Sequence, residues 1–183
     1  MKRLTCAAAA ATLVTVCGTA HAALFDRGGG MIYDSTRNLT WMADMNYAKT
    51  SGYDADGLMT WADANTWANS LVYGGCEDWR LPTLNPSDSS CSYSFNPGGG
   101  FPQQYYGVGC TGGELSGLFV TDLGNKAFES VLNQIGDTAE QVANLALFSN
   151  VQSSVYWSGT EYAPYPNLAW YFYTYYGLQR NYG

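Results

Sequence analysis

Three short apolar runs follow one another in the first part of the chain, separated by glycine-rich or polar turns. They are Leu24-Phe25, residues 31–33 and residues 39–42, and the polar segment 34–38 divides the last two. Short apolar runs bounded by turn residues are typical of β-strands. The pattern therefore predicts a β-hairpin-like beginning with its turn at residues 34–38.

A helical period appears next, in the segment WADANTWANSL at residues 61–71. Residues three or four apart share one face of a helix, and here that face is apolar; it carries Trp61, Ala64, Ala68 and Leu71. Thr60 and Asp63 have the spacing of a helix N-cap. We expect a helix that begins after Thr60 and packs this apolar stripe into the core.

The same period recurs more weakly in the second half of the chain. It predicts a second main helix from the spacing of four apolar residues, Phe128, Val131, Leu132 and Ile135. A third, weaker helix is predicted at residues 140–148. Residues 85–113 are rich in Asn, Pro, Ser, Asp and Gly, and we expect a long loop there.

The aromatic segment AWYFYTYYGLQRNYG, which begins at residue 169, is predicted to contain a strand. Side chains alternate between the two faces of a strand. The less polar face, which we expect to point inward, carries Trp170, Phe172 and Thr174. The other face carries Tyr171, Tyr173 and Tyr175, and this tyrosine row is a candidate stacking surface for a ligand, with packing beneath the 85–113 loop as the alternative.

The first 22 residues have the three parts of a secretory signal peptide. Lys2 and Arg3 are the basic part, residues 7–16 are the apolar part, and Ala20-His21-Ala22 matches an A-x-A cleavage site. Later segments lack an apolar run of the roughly 20 residues that crosses a bilayer. We expect export, either secretion or delivery to the periplasm or cell surface, and one domain at residues 23–183 with no membrane insertion after cleavage.

Composition then narrows the possible functions. Residues 23–183 contain six basic and fifteen acidic residues, a net charge of −9, which disfavours nucleic acid as a partner. They contain no histidine, which excludes Ser-His-Asp catalysis and imidazole-bound metals. Phosphate-binding motifs and a complete calcium loop are also missing. We expect no enzymatic activity, no catalytic residues, no metal and no cofactor.

The cysteines support an extracellular fold. Cys91 and Cys110 lie within the polar 85–113 segment with 18 residues between them. A disulfide closing a loop of that length stabilises a fold by about 3 kcal/mol in the loop-entropy model. We predict that these two residues pair, because a Gly-rich segment has little core of its own.

Four motifs occur in a fixed order: LTWMADMNYA, TWADANTWANSL, GGCEDWRLPTL and SVYWSGTEYAPYPNLAWYFY. Together they resemble the Lcl C-terminal domain family, a domain of secreted bacterial proteins that also ends a collagen-like adhesin. The resemblance covers roughly residues 30–177. The W-R-L-P-T element is shared more distantly with formylglycine-generating enzymes, so the resemblance implies an α+β, C-type-lectin-like domain with twisted antiparallel strands, two main helices and long loops.

The resemblance gives the motif residues a structural role. Trp79 and Leu81 are expected to pack in the core beside Pro82, with Arg80 buried and bonded to carbonyls or a carboxylate. Contact of Arg80 with a ligand is the alternative. Trp157, in the fourth motif, is expected to belong to the same structural framework. Tyr162 of that motif joins Tyr171, Tyr173 and Tyr175 as a candidate ligand-binding residue.

Family members usually continue past the aromatic strand into a further strand that carries Val-Arg. This sequence ends at Asn181-Tyr182-Gly183, so we expect either a truncated domain or a different closure. A missing strand would leave an open sheet edge, which favours self-association.

The resemblance favours a secreted or cell-surface binding module without catalytic activity, with carbohydrate or another surface protein as its ligand. Two alternatives stay open at this point. One is an uncharacterised enzyme or an enzyme relic on a scaffold like that of formylglycine-generating enzymes. The other is a structural surface protein with no small ligand.

Overall fold

The computed structural model describes residues 24–182, so the predicted signal peptide at residues 1–22 lies outside the described residues. Helices and antiparallel sheets are mixed along this range, which confirms the α+β class. The C-type-lectin-like assignment stays a prediction. Within residues 24–182 no helix is both long and apolar enough to cross a bilayer.

A small antiparallel sheet begins the domain and confirms the predicted hairpin. Its three strands occur in sequence order, with β1 at Leu24–Asp26, β2 at Met31–Asp34 and β3 at Leu39–Met42. The carboxylate of Asp34 holds the turn between β2 and β3, because it accepts the backbone N–H groups of Thr36 and Arg37, both at 3.0 Å.

The helices are short. They are α1 at Tyr47–Thr50, α2 at Trp61–Ser70, α3 at Glu114–Ser116, which continues as a π-helical segment at Gly117–Asp122, and α4 at Ala139–Leu145. The N-cap of α2 is the predicted one, since the Thr60 hydroxyl accepts the backbone N–H of Asp63 at 3.2 Å. Ala64 and Ala68 are buried as expected.

The second sheet has five antiparallel strands in the order β4-β5-β8-β7-β6. The strands are β4 at Tyr93–Phe95, β5 at Gln104–Val108, β6 at Val155–Glu161, β7 at Ala169–Tyr173 and β8 at Leu178–Tyr182. The last strand, β8, pairs with both β5 and β7. The C-terminal residues thus occupy the middle of the sheet.

The core lies between the inner face of this sheet and the π-helical segment. Trp170 and Phe172 are fully buried, as the two-residue period predicted. Phe172 stacks on Phe119 of the π-helical segment, with ring centroids 5.4 Å apart and an interplanar angle of 3°. Thr174, just beyond β7, is also buried, and its hydroxyl donates to the carbonyl of Gln152 at 2.7 Å.

An ion-pair network ties the first sheet to the π-helical segment. The Arg37 guanidinium contacts Asp34 at 2.6 Å and Asp122 at 2.5 Å, and both carboxylates are buried. Trp41 donates its indole N–H to Asp34 at 3.1 Å. Burial raises the pKa of Asp122, although its attraction to Arg37 opposes the shift. The network fixes the first sheet against the core.

The helix predicted around residues 128–135 is absent. Phe128, Leu132 and Ile135 are exposed and only Val131 is buried. The backbone N–H groups of Phe128 and Val131 bond to the segment after β7, to the carbonyls of Tyr176 and Thr174, both at 2.9 Å. These tertiary bonds replace the hydrogen bonds between residues four apart that a helix needs. Phe128 also has a φ of 63°, which lies outside the right-handed helical region. The predicted helix at residues 140–148 is present in shorter form as α4.

The segment at residues 85–113 is more ordered than a loop. It contains the hairpin formed by β4 and β5, whose register pairs Tyr93 with Tyr106. The predicted disulfide between Cys91 and Cys110 is confirmed. It closes the base of the hairpin, so this segment is both paired and cross-linked.

The expectation of an open edge at β7 is wrong. Residues 178–182 form β8, the further strand beyond the aromatic one, and it carries Arg180. Tyr171 of β7 lies between Trp157 of β6 and Arg180 of β8, so β7 is paired on both sides. Self-association stays a prediction, and an unpaired β7 no longer supports it.

Candidate functional site

A cleft of about 770 Å³ opens between the first sheet, α2 and the beginning of β6. Its walls also include the segment 78–82, which carries the W-R-L-P motif, and the beginning of α3 and the π-helical segment. Small-molecule sites in proteins have volumes of about 300–1,000 Å³. The cleft therefore has the size of a ligand site.

Large apolar side chains dominate the lining of the cleft. Four of the six tryptophans of the chain line it, namely Trp41, Trp67, Trp79 and Trp157. Every methionine after Met1 lines it as well, namely Met31, Met42, Met45 and Met59. Methionine adapts its shape to irregular partners, and tryptophan offers a large rigid surface. The cleft is therefore built to contact an apolar or aromatic group.

Two glycines allow the walls of the cleft to approach one another. Gly30 has a φ of +77°, and a Cβ there would lie 2.0 Å from the hydroxyl oxygen of Tyr73. Gly74 has a φ of +60°, and a Cβ there would lie 2.6 Å from the sulfur of Met31. Only glycine fits both the left-handed backbone and the close contact. These glycines pack the segment before the W-R-L-P motif against the first sheet.

Arg80 of the motif is held by a carboxylate, as predicted. Its guanidinium donates two hydrogen bonds to Glu114, both at 2.7 Å, and one to the carbonyl of Leu81 at 3.1 Å. However, the Arg80 side chain is 52% exposed, so the expectation of a buried guanidinium is wrong. The pair lies in the wall of the cleft and joins the motif to α3.

Electrostatics keep this pair ionised. Burial acts to raise the pKa of Glu114, but hydrogen bonds from Arg80 and from the backbone N–H of Thr83 outweigh it, so the pKa is lowered. The Arg80 pKa is raised, chiefly by its hydrogen bond to Glu114. The pair therefore stays charged over the whole neutral range.

The other motif residues are half-buried, so the expectation that Trp79 and Leu81 belong to the core is wrong. Trp79 donates its indole N–H to the carbonyl of Tyr73 at 3.1 Å. Pro82 accepts the N–H of Gly159 in β6 at 2.9 Å. The motif connects the cleft walls to one another and leaves its apolar side chains partly open to the cleft.

Trp157 extends the same framework from β6. Its indole N–H donates to the carbonyl of Met59 at 3.0 Å, which fixes the segment before α2. Its ring meets that of Tyr171 edge-on, with centroids 6.1 Å apart. Trp157 therefore joins the cleft to the outer face of the second sheet.

The predicted tyrosine row lies on that outer face, away from the core. Tyr171 and Tyr173 are half-buried on β7, and Tyr175 is exposed in the turn that follows. The rings of Tyr173 and Tyr175 stack with centroids 5.9 Å apart, and Tyr176 closes the cluster edge-on. Tyr162 is separate from this row, because it is buried and packs edge-on against Trp170.

Metal-ligand geometry appears at one place within residues 24–182, at Asp88, Cys91 and Cys110. The two sulfurs are joined in the disulfide. Asp88 accepts the backbone N–H groups of Thr111 and Gly112 at 2.8 and 2.7 Å. Burial opposes its ionisation, yet these bonds and those from Ser90 lower its pKa. These three residues cross-link and hydrogen-bond the loop, so few of their ligand atoms remain to bind a metal ion.

Sequence reasoning missed the cleft, although it found one wall of it. The W-R-L-P motif stood out, but Trp41 and Trp67 were assigned to strand and helix patterns. The methionines carried a usable signal, because all four lie within residues 31–59. A concentration of methionine and tryptophan in one stretch is a mark of an adaptable binding surface.

These features define the molecule as an α+β domain with a large aromatic and methionine-lined cleft, cross-linked by a disulfide. The family model of the Lcl C-terminal domain matches residues 30–182, nearly all of the described range. The chain belongs to the Lcl C-terminal domain family. No curated protein and no solved structure matches it.

Proposed function

We propose that this protein is an exported, non-catalytic binding module whose cleft holds an apolar or aromatic group of a carbohydrate or protein ligand. The observation that carries the proposal is the lining of the cleft by four tryptophans and four methionines. Ligand sites combine such surfaces with a few polar groups that fix orientation. Arg80, Glu114 and Asp44 supply those groups here.

Two further observations support the proposal. Residues 23–183 contain no histidine, so the usual histidine-activated nucleophiles are missing, and the sulfurs of Cys91 and Cys110 are joined in a disulfide. The disulfide also fits a protein outside the cytoplasm. A signal peptide at residues 1–22 remains part of the proposal.

Binding of a glycan array and a peptide array tests the proposal directly. The matched variants are Trp67→Ala, which removes a cleft wall, and Trp61→Phe, which keeps an aromatic ring on the same helix outside the cleft. We expect ligands that bind the wild type to be lost by Trp67→Ala and kept by Trp61→Phe. Ligands that bind all three equally, or turnover of glycosides or esters, would contradict a non-catalytic cleft.

A second candidate site for carbohydrate is the tyrosine row on the outer face. It is supported by the stacked cluster of Tyr173, Tyr175 and Tyr176, of which the last two are exposed. Aromatic rings on an open sheet face provide stacking surfaces for sugars. Tyr175→Ala with Tyr176→Ala should weaken a glycan that uses this face and leave cleft ligands unchanged.

A further inference from the structure

The charges around the cleft are not balanced. Three carboxylates that line it, Asp44, Asp56 and Asp78, form no ion pair within residues 24–182. Arg80 is engaged by Glu114, so that pair contributes no net charge. Arg27 is the remaining cation of the lining. The described cleft therefore has a net charge of −2, inside a domain that is itself anionic.

The three carboxylates keep free acceptor capacity. Asp44 accepts the backbone N–H of Asn46 at 2.9 Å and the hydroxyl of Thr50 at 2.5 Å, and Asp56 accepts the N–H of Leu58 at 2.9 Å. No hydrogen bond to the Asp78 side chain occurs in the described part of the chain. An ionised carboxyl group accepts about four hydrogen bonds. Each of these groups can therefore accept further bonds from a ligand.

Arg27 is already engaged by residues of the first sheet. Its guanidinium donates to the Thr40 hydroxyl at 2.9 Å and lies over the ring of Tyr33, 5.2 Å from the centroid. These contacts hold it on the first sheet. Its cation–π contact also illustrates what the aromatic residues of this cleft can offer to a cation.

Aromatic rings line the same cleft as the carboxylates. Trp67 of α2 and Trp41 of β3 line the cleft together with Trp79 and Tyr47. Tryptophan attracts a cation more strongly than other aromatic residues, and quaternary ammonium ligands are typically recognised by such rings. Aromatic surface with nearby carboxylates therefore fits a cation that also has an apolar surface.

A bare metal ion fits this cleft poorly. Calcium needs six to eight oxygen ligands close together, and in the described part of the chain the cleft carboxylates do not converge into such a group. Methionine and tryptophan side chains offer no oxygen ligands. An anion is also disfavoured, because the field of a negatively charged cleft repels it.

We propose that the cleft binds an organic ammonium cation, in which an apolar body contacts the tryptophans and methionines and the positive head lies near Asp78 and Asp44. The inference rests on the proposed binding function and names the ligand chemistry of the same cleft. A lysine side chain and a free small cation both carry this chemistry. The two sources differ in what surrounds the ammonium group.

The decisive comparison uses two ligands of the same shape and different charge. Choline and its neutral isostere 3,3-dimethylbutan-1-ol are titrated into the purified protein, with tryptophan fluorescence and NMR as readouts. We expect choline to bind roughly tenfold more tightly, since a desolvated cation–π contact contributes up to about 2 kcal/mol. Equal binding of the two would overturn the ammonium proposal while leaving the binding function intact.

Charge variants locate the effect. Asp78→Asn removes a cleft carboxylate without a described hydrogen bond, so the fold should be unaffected. Glu161→Gln is the matched control, because Glu161 is exposed and lies outside the cleft. We expect Asp78→Asn to weaken choline roughly three- to tenfold, to spare the isostere and to exceed the effect of Glu161→Gln. Equal losses in both variants would refute a specific role of the cleft charge.

Two additional probes distinguish a lysine side chain from a free small cation, and failure of the ammonium proposal from failure of the proposed binding function. Nα-acetyl-lysine amide is compared with its neutral analogue Nα-acetyl-norleucine amide, which tests whether a lysine ammonium group is recognised. Its affinity is then compared with that of choline, which shows whether a peptide side chain or a free cation is preferred. N-phenyl-1-naphthylamine, a neutral apolar dye, tests the cleft itself. We expect the dye to bind the wild type and to lose binding in the Trp67→Ala variant. If the dye binds and no cation does, the ammonium proposal fails. If neither the dye nor any cation binds, the proposed binding function fails with it.

Discussion

Replacing Arg80 by alanine removes the ion pair that joins the W-R-L-P motif to α3. Arg80 makes two hydrogen bonds of 2.7 Å to Glu114, but its side chain is 52% exposed and that of Glu114 is 22% exposed. A buried pair would cost roughly 3–5 kcal/mol to break, whereas exposed pairs contribute about 0.2–1 kcal/mol. We expect a loss of about 1 kcal/mol, at the upper end for an exposed pair, because the contact is bidentate.

Urea and thermal unfolding of four proteins measure this value: wild type, Arg80→Ala, Glu114→Gln and the double variant. A loss of about 1 kcal/mol lowers the melting temperature of a domain of this size by roughly 2–4 °C. The double-mutant cycle should give a coupling of about 0.5–1 kcal/mol. Coupling near zero, or a loss above roughly 3 kcal/mol for Arg80→Ala, would refute the reasoning from exposure.

The pH dependence of the same pair gives an independent check. The folded-state pKa of Glu114 is lowered: burial opposes this, but the bonds from Arg80 and Thr83 outweigh burial. A lowered carboxyl pKa stabilises the fold above the unfolded-state pKa, and this stabilisation is lost as the pH falls through the folded-state value. The difference between wild type and Arg80→Ala should therefore shrink in acid. A difference that is constant down to that range would contradict the assignment.

Three other changes test other parts of the fold. Replacing both Cys91 and Cys110 by alanine should cost about 3 kcal/mol, measured by urea unfolding against the wild type; an unchanged midpoint would contradict the role of this disulfide in stabilising the fold. Burial raises the pKa of Tyr156 to about 12, with the Gln152 N–H opposing the shift, so stability should fall from pH 10 to 12. Tyr156→Phe should flatten that decline in alkaline unfolding curves, and a parallel decline in both proteins would refute it. Phe128→Gly should be neutral or stabilising by up to about 1 kcal/mol in urea, because Phe128 is exposed at a φ of 63°; a clear loss of stability would show that its ring packs usefully.

Local patterns in the sequence predicted several elements correctly, since their signals lie within a few residues of each element. The capped helix after Thr60 follows from a 3.6-residue period and a side chain that bonds three residues ahead. Burial of Trp170 and Phe172 follows from the two-residue period of a strand. The disulfide between Cys91 and Cys110 fits its position in a segment with little core.

Where local and long-range hydrogen bonds compete, the sequence pattern alone was misleading. The apolar residues from Phe128 to Ile135 have helical spacing, but backbone N–H groups in this segment bond to the turn after β7 instead. The residues of β8 have a weak strand pattern, yet they complete the middle of the second sheet because β5 and β7 offer them partners on both sides. The bonds from Phe128 and Val131 span 48 and 43 residues, and the pairing of β8 with β5 spans 70 to 72, whereas β8 and β7 form a local hairpin. At the longer separations loop-closure entropy and packing, rather than the local period, select the pairing.

The candidate site divides in the same way. The sequence by itself determined which side chains are available: the tryptophans, the methionines between residues 31 and 59, the W-R-L-P motif, and an anionic chain without histidine after residue 22. Only the tertiary structure brought Trp41, Trp67 and Trp157 around one cleft and left Arg80 half exposed in its wall. The physical reason is that a local pattern specifies only which face of one element is apolar. A cleft is the space that remains after separate elements have packed, so its shape depends on all of them together.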